Sequence, residues 1–214
     1  MIVKTIPVGL FQCNCVILGD PQTKQAIVVD PGDEAPRILE ELRAHDLTVT
    51  AIVHTHAHID HINATFELSR ITQAPTYLHQ DDTFLVEMID IQAQMLGWQK
   101  PVSCNMQHTL TENQTFHIGS YELGVLHTPG HTPGSVCFHV PEQNLCLSGD
   151  TLFRRSVGRT DLWGGDADLI KRSISQKLYQ LHNATRVICG HGPDTSIDEE
   201  KNMNPFVSDK KIFI

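Results

Sequence analysis

Long apolar runs are missing from this sequence, and this absence limits where the protein can act. No stretch reaches the roughly 18 consecutive apolar residues of a membrane-spanning helix. Residues 1–7 also lack the apolar core and small-residue cleavage site of a secretory signal. These two absences predict a cytoplasmic protein that does not act in a membrane.

An excess of positive charge is missing as well. The formal net charge is -9, and the basic residues are scattered apart from the pairs Arg154-Arg155, Lys171-Arg172 and Lys210-Lys211. Because nucleic-acid binding usually requires a concentrated basic patch, a nucleic-acid partner is disfavoured. Low-complexity tracts and Gly/Ser linkers are also absent, while 40% of the residues are hydrophobic. We therefore expect one compact domain over residues 1–214.

The sequence has six cysteines, and their placement argues against a disulfide framework. Cys15, Cys137, Cys146 and Cys189 lie inside apolar strand-like runs, which suits small buried side chains. The segment Cys13-Asn14-Cys15 has the C-x-C spacing of some metal sites, but it has no second such pair. We therefore expect these cysteines to be structural.

Metal-binding side chains are concentrated in one short segment, Thr55-His56-Ala57-His58-Ile59-Asp60-His61, which follows the apolar run 51–53. In an extended stretch alternate side chains share a face, so His56 and His58 point together. Asp60 and His61 follow as the backbone turns toward a helix. Imidazole and carboxylate groups are common ligands of zinc and related metals. The segment therefore predicts ligands for two metal ions.

Three later positions repeat one local pattern, in which an apolar strand leads through glycine or other small residues to a ligand-capable side chain. They are His131 in Pro129-Gly130-His131, Asp150 in Ser148-Gly149-Asp150, and His191 in Gly190-His191-Gly192. Glycine allows a close backbone approach, and proline stiffens the loop. Ligands at strand ends should meet in one cleft. The candidate metal ligands are therefore His56, His58, Asp60, His61, His131, Asp150 and His191.

Strand-like and helical patterns alternate through the rest of the chain. Strands are predicted at 2–8, 14–18, 26–29, 49–53, 115–118, 121–127, 135–140, 145–148 and 186–189. Helices are predicted at 34–45, from 60 to a point before Pro75, at 81–97 and at 168–181. This alternation predicts a layered α/β protein with helices covering the faces of its sheets.

Taken in order, these motifs resemble the metallo-β-lactamase superfamily and, within it, the short bacterial hydrolases similar to glyoxalase II. The resemblance rests on T-H-x-H-x-D-H at 55–61, Asp30-Pro31-Gly32, P-G-H-T-P-G at 129–134, and Gly158-Arg159-Thr160-Asp161. It implies a four-layer αββα sandwich. Two departures are Asn63-Ala64, where many relatives have Gly-Gly, and the short segment after His191, where full-length glyoxalases carry a glutathione-binding helical region.

The resemblance also implies two divalent metal ions, with zinc expected first and iron or manganese compatible. It assigns the first metal to His56, His58, His131 and Asp150. It assigns the second metal to Asp60, His61, His191 and the same Asp150.

The activity that the resemblance implies is hydrolysis of a small thioester by attack of a metal-bound hydroxide, with Asp60 orienting the hydroxide or accepting its proton. The expected substrate is of the hydroxyacylglutathione type, such as S-lactoylglutathione. Three alternatives remain open: a persulfide dioxygenase with one iron at His56, His131 and Asp150, a lactonase, and a metal-binding module without catalysis. A β-lactamase is disfavoured because Asp150 stands where many such enzymes have cysteine. The oligomeric state is not predicted.

Substrate-binding residues are suggested by charge alone. Arg154, Arg155 and Arg159 follow Asp150 closely and could meet the carboxylates of a substrate such as glutathione. A salt bridge between Arg159 and Asp161 is the structural alternative. His54 and His127 adjoin the ligand motifs and could support the ligands from behind.

Overall fold

The structure is a computed structural model that describes residues 1–98 and 106–207. The basic pair Lys210-Lys211 and Cys104 lie outside the described residues. The strands are β1 (Ile2–Val8), β2 (Cys13–Gly19), β3 (Gln25–Val29), β4 (Thr48–Val53), β5 (Thr76–His79), β6 (His108–Leu110), β7 (Thr115–Ile118), β8 (Tyr121–His127), β9 (Val136–Val140), β10 (Leu145–Gly149), β11 (Leu152–Phe153), β12 (Ser156–Val157), β13 (Arg186–Cys189) and β14 (Thr195–Ser196).

The helices are α1 (Ala35–Ala44), α2 (Ile59–Ile62), α3 (Thr65–Thr72), α4 (Thr83–Glu87), α5 (Ile89–Leu96), α6 (Ala167–Gln176) and α7 (Ile197–Met203). Short 3₁₀ turns lie at Gln80–Asp82, Pro141–Gln143 and Leu178–Gln180. None of these described helices combines the length and the apolar character needed to cross a bilayer.

Two six-stranded sheets form the centre of the molecule. The first has the order β1-β2-β3-β4-β5-β6 and is antiparallel up to β3, then parallel from β3 to β6. The second has the order β14-β13-β10-β9-β8-β7, and its one parallel pair is β10 with β13. Strands β11 and β12 form a separate hairpin. The sequence did not predict β5 and β6, which are short strands on one side of the first sheet.

Each sheet buries both faces, which explains why its central strands are apolar at nearly every position. In β2, Val16 and Leu18 pack against the second sheet, around residues such as Phe138. Cys15 and Ile17 point the other way, toward helices α1 and α3. Strand side chains alternate between faces, so a strand with two buried faces reads as a continuous apolar run.

Helices cover the outer faces of both sheets. Ile38 and Leu42 of α1 face the first sheet at helical spacing. Ile170 and Ile174 of α6 cover the outer face of the second sheet in the same way. The layers are therefore helix, sheet, sheet and helix, and the predicted αββα sandwich is confirmed.

Two predicted helices are interrupted. Met88 separates α4 from α5, and the side-chain amide of Gln92 donates a 2.9 Å hydrogen bond to the Leu85 carbonyl, which a continuous helix would offer to residue 89. The helix predicted from Asp60 divides into α2 and α3, and the Ala64 backbone N–H donates to the Pro31 carbonyl at 3.0 Å. The prediction of one continuous helix was wrong in both cases. A side chain or a backbone group from elsewhere in the chain forms a hydrogen bond with an atom that a continuous helix would pair internally.

Candidate metal centre

The seven predicted ligands lie in loops and a short helix at one end of the sandwich. His56 and His58 follow β4, and Asp60 and His61 belong to α2. The other three come from the second sheet: His131 from the β8–β9 connection, Asp150 after β10, and His191 after β13. The structure brings all seven together, and three-residue groups drawn from them have ligand atoms within 4.8 Å of one another.

The first group consists of His56, His58 and His131. Nδ1 of His58 lies 3.1 Å from Nε2 of His56 and 2.9 Å from Nε2 of His131. All three side chains are buried. Three ring nitrogens from two different sheets therefore face one another at short range.

Hydrogen bonds behind the rings assign the protons of this group away from its centre. Nδ1 of His131 donates to the Arg159 carbonyl at 2.8 Å, so its Nε2 carries a lone pair. Nδ1 of His56 lies 3.0 Å from the Thr55 hydroxyl, which itself donates to Asp30 at 2.6 Å and therefore accepts from His56. Lone pairs of His56 and His131 thus converge on His58, an arrangement that a cation would stabilise.

The second group consists of Asp60, His61 and His191. Nε2 of His61 lies 3.2 Å from Nε2 of His191, and Oδ2 of Asp60 lies 3.2 Å from the same His191 nitrogen. Nδ1 of His61 donates to Asp30 at 3.0 Å, and Nδ1 of His191 donates to the Phe11 carbonyl at 2.9 Å. The Nε2 atoms again face inward, each oriented by an acceptor behind the ring.

Asp150 lies between the two groups. Its Oδ1 is 3.4 Å from Nε2 of His61, and its Oδ2 is 3.7 Å from Nε2 of both His131 and His191. Oδ1 is buried and accepts no hydrogen bond from any described residue. A buried carboxylate oxygen without a donor fits a metal ligand, because leaving it unpaired is costly.

The two groups differ in protonation. Burial and the neighbouring imidazoles lower the pKa of His56 well below its usual range and that of His58 to about 3. Burial also opposes charge on His61, but the Cys13 sulfur and the carboxylates of Asp150 and Asp60 raise its pKa. The first group is therefore neutral and ready to bind a metal, whereas a metal at His61 would displace a proton.

The donor set fits divalent transition metals. Imidazoles with one carboxylate, and two imidazoles with two carboxylates, suit zinc, iron or manganese. The residues that could hold such ions are therefore assembled in the fold, with hydrogen-bonded supports behind most of the rings.

A cavity of about 470 Å³ opens onto this centre. His58, Asp60, His131, Asp150 and His191 contribute to its polar floor. The remaining lining is mostly apolar and includes Phe11, Ile59, Gln92, Met95, Leu96, Arg159, Leu162 and Trp163. A small molecule in this cavity would lie beside the candidate ligands and against apolar walls.

The predicted substrate-binding arginines separate in the structure. Arg159 lines the cavity and forms two 2.8 Å hydrogen bonds with Asp161. Arg154 and Arg155 do not line it; both pair with Glu199, at 3.4 and 2.7 Å. Among the three, Arg159 alone is positioned to meet a molecule in the cavity.

His54 and His127 are held by contacts away from the ligand atoms. His54 is fully buried, its Nδ1 lies 2.9 Å from the Tyr77 carbonyl and its Nε2 2.7 Å from the Thr65 hydroxyl. His127 donates to the Pro133 carbonyl at 2.9 Å and stacks on His79 with ring centroids 4.1 Å apart. Both therefore have structural partners.

Three polar residues behind the ligands were missed as functional candidates. Asp30 was noted only as part of a turn, yet its carboxylate accepts from Thr55 and His61. Asp82 accepts from the Ala57 backbone N–H, and Gln92 accepts from the Ile59 N–H and donates to the Ala57 carbonyl. The available signal for Asp30 was a carboxylate within otherwise buried sequence, whereas Asp82 and Gln92 have exposed neighbours and no such local signal. The partners of all three lie 25 or more residues away.

Comparison with known proteins gives a consistent family. The model of the metallo-beta-lactamase superfamily matches residues 8–191. The chain is 37% identical over 206 residues to a "Probable metallo-hydrolase YqgX" of Bacillus subtilis, covering 96% of this chain and 97% of that protein. It is 34% identical over 212 residues to a "Hydroxyacylglutathione hydrolase GloC" of Haemophilus influenzae, covering 98% and 100%.

Solved structures agree with this result. BLEG-1, described as a B3 metallo-beta-lactamase, superposes with a TM-score of 0.89 at 37% identity, covering 96% of this chain and 99% of that one. TTHA1623 in a di-iron-bound form gives 0.85 at 37% identity, covering 95% and 100%. ETHE1 from Myxococcus xanthus gives 0.82 at 30% identity, covering 99% and 86%.

Proposed function

Because the chain belongs to the metallo-beta-lactamase superfamily, we propose that it is a metal-dependent hydrolase of small thioesters, of the hydroxyacylglutathione type. The observation that carries the proposal is the double cluster of inward-facing nitrogens joined by the unpaired Asp150 oxygen. The similarity to the GloC hydrolase over nearly the full length of both chains supports the thioester class. We further propose two divalent ions, zinc first, within a single domain over residues 1–214.

The chemistry of a paired-metal site suits this reaction: bound divalent metals lower the pKa of a coordinated water from about 15.7 toward 7 and polarise a carbonyl oxygen. In this chain His56, His58 and His131 would hold one ion, and Asp60, His61 and His191 the other. Asp150 lies between the two groups and would contact both.

Asp60 would act on the proton of the attacking water. Its side chain lines the cavity, and its Oδ2 is 3.2 Å from Nε2 of His191. Burial opposes ionisation, but His61 and His191 lower the pKa of Asp60. An ionised carboxylate in the cavity floor can orient a water molecule and accept its proton. No serine or cysteine nucleophile is required.

The cavity wall would receive the two arms of the thioester. Apolar side chains such as Phe11, Met95 and Trp163 offer contact area, while Arg159 at the same cavity can face a substrate carboxylate. Replacing Arg159 with glutamine should raise KM for S-lactoylglutathione with little change in kcat. Arg154→Gln is the matched control, because Arg154 does not line the cavity. An unchanged KM in Arg159→Gln would remove this arginine from substrate binding.

The alternative function is that of an iron-dependent persulfide dioxygenase. The similarity to ETHE1 is the reason to test it. That reaction needs only one metal, at His56, His131 and Asp150. The assembled second group of Asp60, His61 and His191 favours the two-metal hydrolase instead. A lactonase, a β-lactamase resembling BLEG-1 and a metal-binding module without catalysis are the other outcomes to test.

The deciding experiment measures metal content and turnover in the same preparation. Protein purified without chelator should contain two divalent ions per chain and consume S-lactoylglutathione, with no oxygen uptake on glutathione persulfide. A lactone and a β-lactam complete the panel. Oxygen uptake without thioester loss would favour the dioxygenase, and stoichiometric metal with no turnover would favour a binding module.

Asp150→Ala tests the shared ligand. It should reduce metal content and lower kcat/KM by at least about 100-fold, since even residues supporting a metal ligand contribute 10- to 100-fold. Asp168→Ala is the control, because Asp168 is an exposed carboxylate on α6. An Asp150→Ala variant with full metal content and rate would refute the assignment.

A further inference from the structure

Asp82 is a buried carboxylate whose position is not explained by the helix that follows it. It precedes α4 but forms no side-chain capping hydrogen bond with that helix. Its side chain is fully inaccessible to solvent. A carboxylate buried so completely needs strong partners, because desolvation of an unpaired charge is costly.

The partners of Asp82 lie on two different metal-ligand loops. Its Oδ2 accepts hydrogen bonds from the Ala57 backbone N–H at 3.0 Å and from the Thr132 hydroxyl at 2.8 Å. Its Oδ1 accepts from the Gly134 backbone N–H at 2.7 Å. Ala57 separates His56 from His58, and Thr132 directly follows His131. One side chain therefore joins the loops that carry all three imidazoles of the first group.

These loops leave different sheets, so their relative position is not set by a shared strand pair. The His56–His58 segment follows β4 of the first sheet, whereas His131 lies between β8 and β9 of the second. A backbone hydrogen bond from Val136 to Thr55 at 2.8 Å also joins them. Asp82 adds a rigid three-point connection close to the ligand atoms, where His58 and His131 approach to 2.9 Å.

The second group has a separate support. Asp30 orients His61, and the Phe11 carbonyl orients His191. Among the described residues, Asp82 accepts hydrogen bonds from Ala57, Thr132 and Gly134, and not from Asp60, His61 or His191. The consequence of losing Asp82 should therefore differ between the two groups.

We propose that Asp82 is a positioning residue that sets the geometry and affinity of the first metal site, at His56, His58 and His131, by fixing the two ligand loops against each other. This inference rests on the metal-binding part of the proposed function. It does not depend on which substrate the protein hydrolyses.

The test uses three variants of the full chain. Asp82→Asn keeps the shape but places an amide NH₂ against a backbone N–H in either orientation of the side chain, since both oxygens accept from backbone donors. Thr132→Val removes only the hydroxyl donor and is the milder variant. Asp168→Asn is the control, because Asp168 is an exposed carboxylate on α6 and belongs to none of the candidate metal groups among the described residues.

Metal-free protein is titrated with Co²⁺ while its visible absorption is recorded, and Zn²⁺ affinity is measured by competition with a chromophoric chelator. In Asp82→Asn one of the two equivalents should bind about 10- to 100-fold more weakly, with an altered Co²⁺ spectrum, while the other is unchanged. Thr132→Val should show a smaller loss in the same equivalent. Asp168→Asn should match the unaltered protein.

The difference between the two equivalents separates positioning from general destabilisation. A purely structural role would lower the melting temperature without changing the ratio of the two affinities, so circular dichroism is measured in parallel. Folded Asp82→Asn and Thr132→Val proteins with both affinities unchanged, or both reduced equally, would overturn the proposal. If Asp82→Asn does not fold, the ratio of the two metal affinities in Thr132→Val decides the question. Unaltered protein that binds no Co²⁺ would instead overturn the metal centre itself.

Discussion

Replacing Gly190 with alanine should disrupt metal binding while leaving the sandwich folded. Gly190 precedes the ligand His191, and a Cβ atom built on it would lie 2.0 Å from Oδ1 of Asp150. The same atom would lie 2.9 Å from the Gly149 carbonyl carbon and 3.0 Å from Cε1 of His61. The added methyl group therefore competes for space with the carboxylate between the two ligand groups.

The size of the effect follows from the distances. Ordinary van der Waals contact begins at 3.4 Å, so the Asp150 oxygen or the Gly190 backbone must move by about 1.4 Å, whereas metal–ligand distances tolerate about 0.2 Å. Asp150 can rotate away, or the His191 loop can shift. Either movement removes a ligand, and we expect at least about a 100-fold loss of affinity for one metal equivalent, because disturbing a supporting residue alone contributes 10- to 100-fold.

Gly192, on the other side of His191, provides the matched control. A Cβ atom at Gly192 meets nothing within 4 Å, but its φ of 72° is unfavourable for alanine. Gly192→Ala should therefore lower the free energy of unfolding by about 1–2 kcal/mol and retain both metals. The measurements are metal content after dialysis, zinc affinity by chelator competition, and urea denaturation. A folded Gly190→Ala protein with two tightly bound metals would refute the steric argument.

Three further predictions concern the core, the second ligand group and pH. Phe138→Ala should lower the free energy of unfolding by about 3–5 kcal/mol, since Phe138 is fully buried between the sheets. Urea denaturation compares it with the control Leu10→Ala, at a position that is 76% exposed. Equal denaturation midpoints for the two variants would contradict the prediction. Asp30→Asn should weaken at least one metal equivalent about 10- to 100-fold, because its NH₂ must face either the Thr55 backbone N–H or the two donors that share Oδ2, the Thr55 hydroxyl and the His61 N–H; calorimetric titration showing two unchanged affinities would count against it. Burial raises the pKa of Asp82 from 3.8 to about 6. Its contribution to the free energy of unfolding is therefore fully present below about pH 4, and about 3 kcal/mol of it is lost as the pH rises through 6. In metal-free Asp82→Asn this decline should be absent, and a slope equal to that of the unaltered chain would disprove the effect.

The ligand set illustrates what local pattern can predict. Candidates such as His131 and Asp150 follow an apolar strand through glycine or another small residue. That pattern is visible within about ten neighbouring residues. The strands around these positions occur where the pattern predicted them, and the structure gathers the side chains at one end of the sandwich. The role of the seven candidate ligands in metal binding and the role of Asp60 in catalysis remain predictions, which the experiments above test.

The helix interruption and the separation of the arginines depend on contacts between residues far apart in the chain, which a local sequence pattern does not predict. The interruption at Met88 involves the Gln92 side chain, which also bonds to Ala57 and Ile59. Similarly, nothing near Arg154 indicated that it would pair with Glu199 and not line the cavity. Charge alone therefore could not separate Arg154 from Arg159.

By itself, the sequence determined the family, the layered architecture and the chemical types of the candidate ligands, because side-chain periodicity and short motifs act over a few residues. Tertiary structure alone decided how those ligands are held. Asp30 supports His61 across 31 positions, and Asp82 reaches Thr132 across 50. Such partners are selected by the packing of two sheets, since a buried carboxylate is stable only where folding brings donors to it.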